Sequence, residues 1–300
     1  VVGDISLIVA LLLALFAVLF GTRHADATEH QDGLVLAVAV ESVIKLAAFL
    51  TVGLAVVFFL FGGPGDLLRQ VGANEAVARS LAYQTSPATW IVLTVLSGLA
   101  IIMLPRQFHL TIVENRREEE LRKASWLFPL YLVAINLFVI PIAFAGLATV
   151  GGRTTPDLYV LSLPLFEHQD ALAMIAFIGG LSAATAMVIV ESVSLSIMIS
   201  NDLVIPLFLR RFLRPDFRAK EDMTKLILNV RRAAIFLILL AAFLYYREAT
   251  TNTRLAAIGL ISFAAIAQFA PALIGGLFWR GANARGAGLG MAAGTLVWAY

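Results

Sequence analysis

Long apolar segments separated by shorter polar ones set the pattern of this chain. Eight of these segments have the length and composition of membrane-crossing helices, and the eighth is cut short. They lie at 4–21, 34–62, 88–105, 125–150, 170–200, 229–247, 254–279 and 286–300. The first segment begins almost at once and the last residues are still apolar, so we expect residues 1–300 to be a fragment of a longer protein, truncated at both ends.

Composition assigns the protein to a class. Of its 300 residues, 60% are hydrophobic and only 14% are charged. This balance is foreign to soluble domains and predicts an all-α polytopic membrane protein, with the lipid bilayer as its main partner. The unbroken apolar runs exclude a β-barrel. A net charge of +2 gives no reason to expect a nucleic-acid partner. The absence of cysteine excludes disulfides and thiolate metal sites.

The distribution of lysine and arginine predicts the orientation. The loops at 21–33, 105–124, 201–232 and 280–285 hold sixteen basic residues, whereas the alternate loops hold five. Basic loops stay in the cytoplasm, so these four loops are predicted to be cytoplasmic. A multi-pass protein of the bacterial inner membrane is the expected localisation.

The fifth segment carries the densest polar signal. It contains Glu191 near its middle and six hydroxyl residues, at 182, 185, 192, 194, 196 and 200. At about 100° per residue, all but Ser194 fall in one stripe of roughly 80°. Lipid offers these groups no partner, so the stripe should face other helices or a water-filled path. Hydroxyls that bond to their own backbone would also explain it.

A second intramembrane charge site lies in the second segment. Glu41 and Lys45 are four residues apart, so on a helix they share a face and can pair. Two interpretations remain open: a self-neutralised structural pair, or a gating or proton-relay pair. Glu191, Glu41 and Lys45 are therefore the candidate ion-coupling residues.

Several segments contain residues that interrupt helices, and interrupted membrane helices often form binding sites. These residues are Gly98 and Pro105 around the third segment, Pro129 and Pro141 in the fourth, Gly179 and Gly180 in the fifth, and Pro271 in the seventh. Together they favour a transporter over a simple anchor.

Signatures of enzymes and of metal sites are missing from the sequence. It has no HExxH motif, phosphate loop or nucleophile elbow, and we expect no catalytic residue, cofactor or metal in this fragment. His24 and His30, with Asp26 and Glu29, fit a solvated loop better than a metal cluster.

Three stretches together resemble the sodium:solute symporter family. The first is QFAPALIGGLFWRGANARGAGLGMAAG at 268–294, with a glutamine before a proline, an aromatic-Trp-Arg end and a Gly-Ala start to the next helix. The second is the helix end ISNDL at 199–203, and the third is PRQFH at 105–109 followed by a charged loop. These matches extend over nearly the whole chain.

The resemblance implies a partial LeuT-like inverted-repeat bundle. Residues 1–62 would form the last two helices of the first repeat, 88–279 the second repeat, and 286–300 the start of an extra helix. Polar or flexible positions on helices that line the family's cavity are the candidate substrate-binding residues. They are Thr94, Ser97, Gly98, Ser182, Thr185, Ser192 and Gln268.

A narrower resemblance concerns 21–53 and 104–116, which look like the symporter-fused sensor histidine kinases of the histidine-uptake type. In that subfamily the transport domain comes first, and cytoplasmic kinase modules follow in the same chain. The resemblance implies that the full-length parent is a sensor histidine kinase.

One departure from the family pattern concerns the coupling ion. Counted back from Asn201, the family's sodium positions fall on Ala183, Ala186 and Met187, whose side chains supply no oxygen. A slip of one residue would put Ser182, Thr185 and Ala186 there and restore one of two adjacent hydroxyls. The usual Trp-Thr-Asp before the second segment reads Ala27-Thr28-Glu29. We therefore expect weak or absent sodium coupling, with a proton as the coupling ion.

These observations lead to three functional hypotheses. The first is alternating-access transport of a small polar solute, expected to be an amino acid such as histidine, by the input domain of a two-component sensor kinase. A stand-alone sodium:solute symporter without a signalling role and a solute receptor that does not transport are the alternatives.

Overall fold

A computed structural model describes residues 4–22, 32–207, 220–248 and 254–300, except for the side chains of 32 and 220–223. The Ala27-Thr28-Glu29 motif and the histidines at 24 and 30 lie outside the described residues, as do most of the predicted cytoplasmic loop 21–33 and residues 208–219 of the loop 201–232. All regular structure in the described ranges is helical.

The chain divides into two compact units, 1–83 with 114–247 and 84–113 with 248–300. The helices of the first unit are α1 Ile5–Gly21, α2 Asp32–Leu54, α3 Pro64–Gly72, α4 Glu75–Ala82, α7 Glu118–Asn136, α8 Val139–Thr149, α9 Tyr159–Phe166, α10 Asp170–Met198 and α11 Lys220–Glu248. Those of the second unit are α5 Pro87–Met103, α6 Pro105–Phe108, α12 Leu255–Ala267, α13 Ala270–Phe278 and α14 Ala284–Ala299.

Five helical segments in the described residues are long and apolar enough to cross a membrane: Gly33–Leu60, Glu118–Thr149, Asp170–Leu207, Thr224–Glu248 and Leu255–Phe278. Helices α1 and α5, with 17 residues each, and α14, with 16, are shorter. Large apolar side chains are exposed along all of these segments, as lipid-facing surfaces require. The chain is a helical membrane protein, and each of the eight predicted segments coincides with helix.

Polar side chains fix where several helices begin. The Asp4 carboxylate accepts from the Ser6 amide at 3.0 Å at the start of α1, and the Ser86 hydroxyl accepts from the Thr89 amide at 3.2 Å at the start of α5. Asn283 caps α14 in the same way. These contacts satisfy backbone N–H groups that have no partner within the helix.

The first unit has two apolar clusters that are joined by α10. One surrounds Val52, Val56, Leu163 and Ala176, where α2, α8, α9 and α10 meet. The other combines α1, α10 and α11 around Val193 and Ile235. Helix α10 therefore contributes to both clusters, and its serines at 192, 194 and 196 are buried.

Three short helices lie in regions that the hydropathy pattern assigns to loops. Helices α3 and α4 follow the second apolar segment, and α9 precedes the fifth. Pro64 occupies the first turn of α3, a position where its missing N–H is harmless. Leu67 and Val71, four residues apart, then turn one face of α3 into the first cluster.

Prolines interrupt two of the membrane-length segments near their middle. The fourth breaks at 137–138, between α7 and α8, and the seventh at 268–269, between α12 and α13. Each break lies just before a proline, Pro141 or Pro271. A proline has no N–H for the carbonyl four residues earlier, and its ring crowds that carbonyl. The carbonyls of Leu137 and Ala267 therefore lose their usual donor.

Glycines do not have the same effect. Helix α5 is continuous through Gly98, and α10 is continuous through Gly179 and Gly180. The expectation that these glycines interrupt their helices is wrong, because a glycine keeps its backbone donor and only weakens a helix.

Candidate functional site

The predicted pairing of Glu41 with Lys45 occurs on α2. The Lys45 Nζ lies 3.6 Å from the Glu41 Oε1, and the side chains are 31% and 12% exposed respectively. The neighbours Val40, Val43 and Ile44 are exposed. The charged pair is thus on the side of α2 that faces the protein, while the adjacent β-branched residues face lipid.

Helix α2 runs antiparallel to α10. Leu34, near the start of α2, packs on the cluster that contains Val193. Further along α2, Ala48 lies against Gly179, and Val52 shares a cluster with Ala176. Residue numbers therefore rise along α2 as they fall along α10.

This register places the ion pair opposite a defined part of α10. Glu41 is seven residues before Ala48, and Ala186 is seven residues after Gly179. Because residues seven apart share a helix face, Glu41 is level with Ala186 and on the facing side. Ala183 shares this face of α10. Small side chains at these positions leave room for the charged groups of α2.

A third helix, α7, reaches the same level. The Tyr131 hydroxyl donates to the backbone carbonyl of Ser42 at 3.3 Å. Ser42 follows Glu41 directly, so a phenol hydroxyl lies beside the ion pair. Sequence reasoning missed Tyr131, since nothing in the spacing of the fourth segment relates it to α2.

The hydroxyls of α10 lie on the protein side of the helix but bond mainly to their own backbone. Thr185 Oγ1 donates to the Leu181 carbonyl at 2.9 Å, and Ser192 Oγ to the Ile189 carbonyl at 3.0 Å. Ser196 and Ser200, the latter just after the end of α10, make equivalent bonds. Ser192, Ser196 and Ser200 are buried, whereas Ser182 and Thr185 are half-buried. These bonds match the structural interpretation of the stripe.

The burial of Ser194 and the helix face of Glu191 differ from what the sequence pattern of α10 predicted. Ser194 lies outside the predicted stripe yet is as buried as Ser192, Ser196 and Ser200. Glu191 is half-buried, about 120° around the helix from Gly179, and so it does not share the face that meets α2. Met187 is 53% exposed, whereas Ala183 and Ala186 are half-buried.

The remaining candidates lie in the second unit. Thr94, Ser97 and Gly98 are exposed on α5, and the Thr94 hydroxyl donates to the Trp90 carbonyl at 2.8 Å. Gln268 is half-buried at the break between α12 and α13. The candidates therefore divide into the α2–α10 group of the first unit and this group of the second.

Both broken segments carry an amide side chain at the break. The Gln268 Nε2 donates to the Ala264 carbonyl at 3.2 Å, and the Asn136 Nδ2 donates to the Leu132 carbonyl at 2.7 Å. The Gln268 Oε1 lies against Gly294 of α14, where a Cβ would overlap it. The sequence analysis did not select Asn136. The pattern that selected Gln268, an amide side chain shortly before a proline, is also present at Asn136.

A buried arginine forms a further polar cluster. Arg231, only 2% exposed, donates from Nε to the Ser200 hydroxyl at 3.2 Å and from a terminal nitrogen to the Asn201 Oδ1 at 3.3 Å. Next to it, Arg232 Nε donates to the Thr22 hydroxyl at 3.3 Å. The cluster joins the ends of α1 and α10 to α11.

Sequence reasoning counted Arg231 among the basic residues of the predicted loop 201–232, whereas the structure places it on a helix. Helix α11 already begins at Lys220. Arg231 precedes the buried Ile235 and Leu239 by four and eight residues, so it lies on their face of the helix. This spacing relative to Ile235 and Leu239 could have indicated from the sequence that Arg231 lies on the buried face of a helix.

Comparison with protein-family models, with curated proteins and with solved structures finds no match for this chain.

Proposed function

We propose that this chain is the membrane part of a secondary transporter that moves a small polar solute by alternating access. The observation that carries the proposal is the pair of membrane-length segments broken near their middle by Pro141 and Pro271. At each break the proline removes the usual donor of a backbone carbonyl, at Leu137 or Ala267, and the neighbouring residue in the chain, Asn136 or Gln268, carries an amide side chain. Irregular backbone at membrane depth is tolerated where it lines a cavity, and transporters use it to bind solutes and ions.

The finer architecture is part of the same proposal. In this proposal the eight segments form a partial LeuT-like bundle of eight spans, in which 1–62 end the first repeat and 88–279 form the second. The resemblance of 268–294 to the sodium:solute symporters supports this arrangement. The excess of basic residues in alternate loops supports a bacterial inner-membrane protein with loops 21–33, 105–124, 201–232 and 280–285 in the cytoplasm.

The solute and the signalling role also belong to the proposal. An amino acid such as histidine is the proposed solute, and the resemblance of 21–53 and 104–116 supports an input domain followed by sensor-kinase modules. The candidate substrate residues of this proposal are Ser182, Thr185 and Ser192 in the first unit, and Thr94, Ser97, Gly98 and Gln268 in the second.

Uptake measurements test the proposal. The full-length protein in proteoliposomes should accumulate radiolabelled histidine or proline when a sodium or a proton gradient is imposed alone. Protein-free liposomes and unlabelled competitor are the controls. Binding of labelled histidine without uptake would favour the receptor, and the absence of both binding and uptake would contradict the amino-acid proposal.

A further inference from the structure

The ion pair on α2 is not explained by stability. Two charges inside a membrane-length helix lose their hydration, and a well-packed apolar pair of similar size is often at least as stable. Intramembrane charges that are retained usually serve ion or proton movement. Glu41 and Lys45 face the protein at the level of Ala186, so they have the position that such a role requires.

The surroundings of the pair favour a proton over a metal cation. The facing side of α10 presents Ala183 and Ala186, whose side chains supply no oxygen ligand. Sodium needs several oxygens, whereas a proton needs one carboxylate and a partner that stabilises its charged form. Lys45, whose Nζ is 3.6 Å from the carboxylate, is such a partner.

Few other ionisable groups face this site from the helices packed around it. Helices α1 and α8 contain no Asp, Glu, Lys or Arg. Helix α7 contributes the Tyr131 hydroxyl beside Ser42. Helix α9 contributes Tyr159, which packs on Gly146 nearer the other end of α2. Glu191 of α10 lies on a different face. Glu41 is therefore the carboxylate best placed to exchange a proton at this level.

We propose that Glu41 binds the coupling proton of the transport cycle, with Lys45 as its charge-compensating partner; this inference rests on the proposed transport function. A proton from water on one side of the membrane adds to the Glu41 carboxylate and forms the neutral acid. The attraction to the Lys45 ammonium is thereby lost. Release of the same proton to water on the other side restores the carboxylate and the pair.

Transport by the full-length protein in proteoliposomes provides the first test. Glu41→Gln should abolish accumulation of labelled histidine or proline driven by a pH gradient, but should preserve exchange of labelled for unlabelled solute across the membrane. Exchange needs no net proton movement, so it reports an intact solute site. Glu119→Gln, at the exposed start of α7, is the matched control and should keep both activities.

A second variant addresses misfolding, because Glu41→Gln alone leaves a lysine without its partner. The double variant Glu41→Gln/Lys45→Met removes both charges and nearly keeps side-chain volume. It should fold, exchange solute and fail to accumulate it. Accumulation at the wild-type level in the double variant would overturn the proposal.

Infrared spectroscopy tests proton binding without any solute. Acid-minus-neutral difference spectra of the purified protein in lipid should contain a protonated-carboxyl band that shifts in D₂O. One component of this band, assigned to Glu41, should be missing in Glu41→Gln/Lys45→Met and present in Glu119→Gln. A band that is lost in Glu191→Gln but kept in the double variant would assign proton binding to Glu191 of α10 and overturn the assignment to Glu41. If wild type shows the band but transports neither amino acid, the assignment of proton binding to Glu41 stands and the transport proposal fails.

Discussion

Gly179 of α10 lies directly against Ala48 of α2, and a Cβ built on Gly179 would come 2.5 Å from the Ala48 Cβ. Real Cβ atoms do not approach so closely, and the Ala48 Cβ cannot move without its backbone. The contact fixes the distance between the two helices and also the register that sets Glu41 opposite Ala186. Close approach through small residues is a common way to pack membrane helices.

We expect Gly179→Ala to lower the free energy of unfolding by about 1–3 kcal/mol, because the added methyl forces α2 and α10 apart. The matched control is Gly180→Ala, one residue later, where an added Cβ has open space. That change should be neutral or stabilise the protein by up to about 1 kcal/mol, because alanine favours helix. Denaturant unfolding in detergent micelles measures both. Equal effects at the two positions would contradict the close contact.

Arg231 supplies a second prediction. Arg231→Met removes the donor to the buried Ser200 hydroxyl and one of the two donors to the Asn201 Oδ1, which also accepts from the Ser200 hydroxyl at 3.0 Å. We expect the free energy of unfolding to fall by about 1–3 kcal/mol. Lys225→Met, at an exposed position on the same helix, should change stability by less than about 0.5 kcal/mol.

A double-mutant cycle isolates the hydrogen bond. Arg231→Met combined with Ser200→Ala should be less destabilising than the sum of the single changes, with a coupling of about 0.5 kcal/mol or more. Strict additivity would show that the arginine acts through packing of its aliphatic chain and not through Ser200.

The sequence predicted the positions of the apolar helices because hydropathy measures the property that distinguishes them. Each predicted segment coincides with helix, but α11 begins at Lys220, nine residues before its predicted start at 229. Its first residues, KEDMTK, are polar, so an apolar window cannot detect them, although most favour helix. Helices α3, α4 and α9 were not predicted for a related reason. They are short, and tertiary packing decides whether such segments become helical.

The site was predictable only where its chemistry is local. Glu41 and Lys45 pair because residues four apart meet on one helix, a relation visible in any sequence. The contacts of Arg231 with Ser200 and of Tyr131 with Ser42 join residues 31 and 89 positions apart. No periodicity encodes such contacts, which depend on how the helices pack.

The prolines at the two breaks give a third prediction. Pro141→Ala and Pro271→Ala each restore a backbone donor and should make the segment more regular. If the irregular backbone binds the solute, each variant should reduce uptake at least about tenfold while the protein stays as stable as wild type or becomes more stable. Pro129→Ala is the control, since α7 is already helical through Pro129. Undiminished uptake in both variants would contradict a transport role for the breaks.

The absence of cysteine from these 300 residues provides a direct test of the orientation. Single cysteines introduced for Ser80, Glu119 and Ala282 lie at exposed positions in three different connections. If alternate basic loops are cytoplasmic, a membrane-impermeant maleimide added to intact cells should label only Ser80→Cys. All three should react after the membrane is permeabilised, which controls for accessibility.

In the predicted topology, one span separates residue 80 from residue 119, and four spans separate residue 119 from residue 282. Labelling of 119 and 282 from opposite sides would therefore contradict eight spans, and labelling of both from outside would reverse the orientation.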